Sequence, residues 1–113
     1  MTSSLRLAQV AAGAMDDRKA EDVLVLDISN HTLVADYFVI GSAETNVQIK
    51  AITEGVEEAV ADAGGKLLAR EGHERARWVL LDFGAVVVHV FGPEARNLYR
   101  LERLWADAPI VAR

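Results

Sequence analysis

Apolar residues along this chain fall into two kinds of pattern, helical stripes and unbroken β-favouring runs. Leu7, Val10, Ala11 and Ala14 recur at helical spacing behind Ser3 and Ser4, either of which can cap the first turn. The charged run Asp16-Asp17-Arg18-Lys19 ends that helix. Val23-Leu24-Val25-Leu26 then forms a continuous apolar run, which predicts a strand buried on both faces. Residues 27–32 carry loop chemistry. Tyr37-Phe38-Val39-Ile40 repeats the buried-strand pattern and is closed by Gly41-Ser42.

The clearest helix begins at Thr45. With Gln48 it spells a capping box, in which the threonine hydroxyl accepts one orphan amide and the glutamine side chain returns to another. Ile49, Ile52, Val56, Ala59, Val60 and Ala63 trace one face behind it, and Gly64-Gly65 supplies a left-handed exit. Residues 66–70 predict a weaker strand near a sheet edge. Trp78-Val79-Leu80-Leu81 and Val86-Val87-Val88-His89-Val90-Phe91 predict strong strands, joined through Asp82-Phe83-Gly84-Ala85 as an antiparallel hairpin. Pro93 opens a last helix over residues 94–105, and Pro109 marks a short extended tail. The order helix, two strands, helix, three strands, helix predicts one α/β (α+β) domain over residues 1–113, a single mixed sheet of about five strands flanked by helices.

Composition narrows the function. Half of the residues are apolar and a quarter charged, the balance of an ordinary folded domain. There is no cysteine, which excludes disulfides, thiol catalysis and thiolate-bound zinc. No apolar run approaches membrane-spanning length and nothing near the amino terminus has signal-peptide form, so a cytoplasmic protein without membrane contact is expected. The net charge of −5 fits poorly with broad binding to a phosphate backbone, which requires clustered Lys and Arg. It suits a basic protein partner and leaves at most a minor contact with RNA.

Catalytic patterns are missing. His31, His73 and His89 have no metal-site spacing, and His89 alternates with Val88 and Val90 in a strand, so it points to the face opposite theirs. Asp82-Phe83-Gly84 spells the kinase metal-binding tripeptide, but in a hairpin turn without a phosphate loop. Gly41-Ser42 after a strand resembles the turn of nucleotidyltransferases. The paired strand carboxylates that would hold magnesium are absent, because Glu54, Glu57 and Glu58 lie along the helix. No catalytic, cofactor-binding or metal-binding residue is expected.

The last third is unusual. It holds five of the seven aromatics, Trp78, Phe83, Phe91, Tyr99 and Trp105, mixed with Arg77, Asp82, Arg96, Arg100, Glu102 and Arg103. Aromatics and arginine are enriched at binding hot spots. Equally, Trp78 and Phe91 can fill the core while the arginines form a solvated face. On the last helix Leu98, Leu101 and Trp105 share one stripe, read as core-facing, with Tyr99, Glu102 and Arg103 on the other side. Composition alone leaves interface and core evenly balanced.

Several blocks together resemble the bacterial ribosomal silencing factor (Iojap) family. They are Asp27-x-Ser29, Asp36-Tyr37-Phe38-Val39-Ile40 and Gln48-x-x-Ala51-Ile52, then Glu71-Gly72 and Ala76-x-Trp78-Val79-Leu80-Leu81-Asp82-Phe83-Gly84. Val87-Val88-His89-Val90-Phe91 and Arg96-x-x-Tyr99-x-Leu101-Glu102-x-Leu104-Trp105-Ala106-Asp107-Ala108-Pro109 complete the series. The resemblance implies a nucleotidyltransferase-like fold without catalytic carboxylates. It implies docking on large-subunit ribosomal protein fourteen, where the bound factor blocks small-subunit joining and represses translation when nutrients are scarce. It also implies homodimers that compete with the ribosome, and relatives in organelles that assist large-subunit assembly. Carried over by position, the contact surface comprises Trp78, Leu81, Asp82, His89, Phe91, Arg96, Tyr99, Glu102 and Trp105. Asp82 and Glu102 would meet basic groups and the aromatics would serve as anchors. Ala85 and Arg100 depart from the family pattern and make this surface less negative. An assembly aid or a degenerate nucleotidyltransferase are the competing readings.

Overall fold

The computed structural model describes residues 3–30, 33, 35–73, 78–92 and 110–112. The first helix, α1 (Ser4–Asp17), starts where the sequence places it, with the Ser3 hydroxyl accepting from the Arg6 amide. It stops without glycine. Lys19 takes a left-handed φ of 62°, donating to the Asp16 carbonyl while the Ala20 amide reaches the Met15 carbonyl. Those two bonds are a Schellman closure. The chain then runs through β1 (Glu21–Asp27) and β2 (Tyr37–Ser42) into α2 (Asn46–Asp62).

Thr45 caps α2 through the Gln48 amide, as expected. The Gln48 side chain does not return to Thr45; it donates to the Lys19 carbonyl at 3.0 Å. The capping box is therefore half formed, and its second arm ties the start of α2 to the end of α1. At the other end Gly64 (φ 96°) and Gly65 repeat the Schellman closure, donating to the Ala61 and Val60 carbonyls.

Beyond α2 come β3 (Ala69–His73), β4 (Trp78–Asp82), β5 (Val86–Phe91) and β6 (Ile110–Ala112). The six strands form one mixed sheet in the order β3-β4-β5-β2-β1-β6. Only β2 and β5 run parallel; all other neighbours are antiparallel. The expected α+β class and mixed sheet hold, with one strand more than the sequence predicts. The tail after Pro109 supplies it by pairing with β1. The edge strand near residues 66–70 lies slightly later, and it ends on His73, expected in a loop. The predicted helix over residues 94–105, like His31, lies outside the described residues.

The sheet has two unlike faces. Alternation sends Val79, Leu81, Val86, Val88 and Val90 to one side, where α1 and α2 lie over them. There Met15, Ile49, Ile52, Val56 and Val60 close an aliphatic core. Gly41 makes room for this packing: a Cβ at that position would sit 2.9 Å from the Met15 sulfur, and the methionine would have to shift. The opposite face gathers Leu26, Ile28, Phe38, Ile40, Trp78, Leu80, Val87 and Phe91. No described helix is long and apolar enough to cross a membrane.

Candidate functional site

The second face is built by strand register. Pairing of β4 with β5 sets Trp78 against Phe91 and Leu80 against His89; parallel pairing of β2 with β5 sets Ile40 beside His89. His89 thus stands at the centre of three strands, with Trp78 and Phe38 as diagonal neighbours, a separation that aromatic rings can span. The rings meet. Phe38 approaches His89 edge-on at 4.9 Å between centroids, while Trp78 and Phe91 lie 5.9 Å from it with planes inclined by 29° and 9°. Trp78 and Phe91 also pack on each other at 5.3 Å. Such tilted and edge-on pairs add to plain area burial.

One directional bond runs through this cluster. The Trp78 indole Nε1–H donates to His89 Nδ1 at 3.2 Å. Burial pushes the imidazole down to about 4, so the ring is neutral at physiological pH. A neutral imidazole that accepts at Nδ1 carries its proton on Nε2. That atom is buried and has no hydrogen-bond partner among the described residues.

The expected contact residues divide under this geometry. Leu81 and Phe91 are 0 % exposed and His89 is 4 % exposed, Leu81 on the helix-covered side and the other two in the aromatic cluster. All three are interior side chains, which sets them apart from the exposed contact surface expected of them. Trp78 and Asp82 are partly exposed. Arg96, Tyr99, Glu102 and Trp105 lie outside the described residues.

Asp82 already has work. Its Oδ1 accepts from the Gly84 amide at 2.8 Å, and the Phe83 amide donates to the Val86 carbonyl. Gly84 adopts φ 87°, a left-handed conformation that disfavours any side chain. Asp-Phe-Gly is thus the chemistry of a tight turn. Asp27 does the same earlier, its Oδ1 accepting from both the amide and the hydroxyl of Ser29. Asp36 accepts from the Ser4 hydroxyl at 3.1 Å and so moors the start of α1 beside β2. Tyr37 pairs with Asp27 across the strands, and its hydroxyl pKa is raised by burial and then by the charges of Asp27 and Asp36. Asx-turn spacing in Asp27-x-Ser29 is the sequence signal for this turn.

Ser42 shows what became of the Gly-Ser pair. Its hydroxyl donates to the Glu21 carbonyl at 3.2 Å, and Gly41 makes room for Met15. Glu57 lies 3.5 Å from Arg70 on β3, a half-exposed pair of small energetic weight. Among the described residues no three His, Asp or Glu side chains are grouped to hold a metal ion.

Comparison with known proteins places this geometry among relatives. The family described as "Ribosomal silencing factor during starvation" matches residues 1–113. The ribosomal silencing factor of Bacillus subtilis is 44% identical over 105 residues, covering 93% of this chain and 89% of that protein. That of Halalkalibacterium halodurans is 43% identical over 109 residues, covering 96% and 93%. A crystal structure of a Chromobacterium violaceum protein superposes with a TM-score of 0.88 at 34% identity, covering 93% of this chain and 88% of the other.

Proposed function

The chain belongs to the ribosomal silencing factor family, and from that premise we propose that it docks on large-subunit ribosomal protein fourteen and bars the small subunit from joining. Translation then falls when nutrients are short. The protein acts in the cytoplasm, by occupying space rather than by making or breaking a bond. Steric exclusion requires only a rigid body at the right place, and a domain of 34 × 31 × 23 Å suffices between surfaces that must come into contact.

The observation that carries this reading is Trp78: a partly exposed tryptophan held by ring contacts and a hydrogen bond on a strand at the margin of an aromatic face. Exposing an indole is costly unless something covers it, and a pre-oriented indole loses little freedom on binding. Asp82 lies on the same strand, at its other end. With one carboxylate oxygen committed to the turn, the other is available to a basic group. Arg96, Tyr99, Glu102 and Trp105 complete the surface in this proposal, and His89 and Phe91 support it from within. The net charge of −5 favours approach to a basic protein and leaves ribosomal RNA a minor contact. Homodimers that cover the same surface compete with docking.

Order of addition tests the proposal. The protein is expected to co-sediment with isolated large subunits and to inhibit translation in vitro only when added before the subunits join. Equal inhibition of preassembled ribosomes would contradict it.

A further inference from the structure

His89 is an expensive residue where it stands. All six positions of β5 are buried, and the other five are valine or phenylalanine. An imidazole there must remain neutral, and it leaves its Nε2–H without a partner among the described residues. An orphaned buried donor works against folding. Leucine or phenylalanine at this position would avoid that penalty and keep the apolar packing. What neither can offer is an acceptor for the indole N–H of Trp78, which His89 Nδ1 provides at 3.2 Å.

We propose that His89 is a specificity-determining positioning residue: by turning the Trp78 N–H inward it fixes the indole and leaves only its hydrocarbon and π surface to a docking partner. The inference rests on the reading that Trp78 is a docking anchor. It narrows the partner chemistry. The group that meets Trp78 packs flat on a ring, as a guanidinium or an aliphatic side chain does, and is not a carbonyl or carboxylate seeking the indole N–H. A cationic group on the ring would agree with the protein's acidic charge.

The test measures binding of the full-length chain to isolated large subunits together with the indole N–H resonances in a ¹H–¹⁵N spectrum, assigned with Trp105→Phe. In the parent protein the Trp78 indole proton is expected to exchange slowly with solvent. His89→Leu should shift that resonance, speed its exchange and weaken binding about 5- to 10-fold, the scale of one lost orienting hydrogen bond. His89→Gln, whose carbonyl can accept, should restore part of both. Trp78→Phe should retain more binding than Trp78→Ala, because a ring without an N–H still offers its face. In the Trp78→Phe background His89→Leu should weaken binding no further.

Unchanged binding by His89→Leu, with Trp78→Ala strongly impaired, would overturn the inference and leave the docking surface intact. Equal losses for Trp78→Phe and Trp78→Ala would also overturn it, since the N–H would then matter to the partner. If Trp78→Ala binds as the parent does, the docking surface itself is wrong, and the role of His89 falls with it. Should His89→Leu fail to fold, His89→Gln and the two Trp78 variants still decide the matter.

Discussion

The two faces of the sheet solve different problems with the same strands. Under α1 and α2 the contacts are mostly aliphatic, Gly41 and Met15 pack closely, and the buried polar side chain there among the described residues, Thr53, is satisfied by its own helix through the Ile49 carbonyl. Across the sheet the contacts are aromatic, a histidine is buried with an unmet donor, and Trp78 keeps part of its surface exposed. Both faces are largely buried, and the first serves folding without such a cost. The second carries residual cost, which is what a surface shaped for a partner retains.

The largest expected effect of a substitution lies on the helix-covered face. Leu81→Ala should lower unfolding free energy by about 3 kcal/mol, as a fully buried leucine leaves a cavity in a dense core. Denaturant titration checks it, and the folded fraction should still bind large subunits with parental affinity. A loss of affinity in that folded fraction would erase the distinction between the faces.

Acid should reach the aromatic face through His89. His89 titrates at about 4 when folded and near 6.5 when unfolded, so the unfolded chain binds the extra proton between those values. Its contribution is complete above about pH 6.5 and is lost as pH falls through 4, roughly 3 to 4 kcal/mol in all at ~1.4 kcal/mol per pH unit. Thermal or denaturant unfolding across pH 4 to 7 should show this slope, and His89→Gln should flatten it.

Trp78→Ala should cost about 2 kcal/mol of binding, near 30-fold in affinity. Titration of labelled protein with large subunits measures it.

The smallest effect returns to the helix-covered side. Lys19 occupies the left-handed position that Gly64 fills at the other helix. Lys19→Gly should therefore stabilise the fold by about 0.5 to 1 kcal/mol and leave docking unchanged. Gln48 bonds to the backbone carbonyl there, so that tie survives the change. A gain in melting temperature without a change in subunit binding is the expected pair of readings.

Much of this was legible in the chain. Ser3, Thr45 and Gly64 mark helix ends through local chemistry, and the Val-rich runs of β1 and β5 declare buried strands. What escaped was non-local. Ile110-Val111-Ala112 is too short to signal a strand by itself and becomes one only because β1 presents a free edge. Gln48 bonds to the Lys19 carbonyl just beyond α1 rather than to its own cap, a choice set by tertiary proximity. At the candidate site, strand alternation separates Leu81 from Trp78 and correctly puts His89 opposite Val88 and Val90. The family resemblance names Leu81, His89 and Phe91 as contacts by position, and neither it nor alternation says how deeply a face is buried; all three are interior. The Trp78 to His89 bond needs the β4–β5 register, which sequence spacing alone does not supply.

One experiment bears most directly on Trp78 as a docking anchor. Isolated large subunits are mixed with the parent protein or with Trp78→Ala, small subunits are added, and joining is followed by light scattering. The parent protein should suppress joining in a dose-dependent way, and Trp78→Ala, shown folded by circular dichroism, should need about 30-fold more protein for the same suppression. Suppression by both at the same concentration would contradict the account.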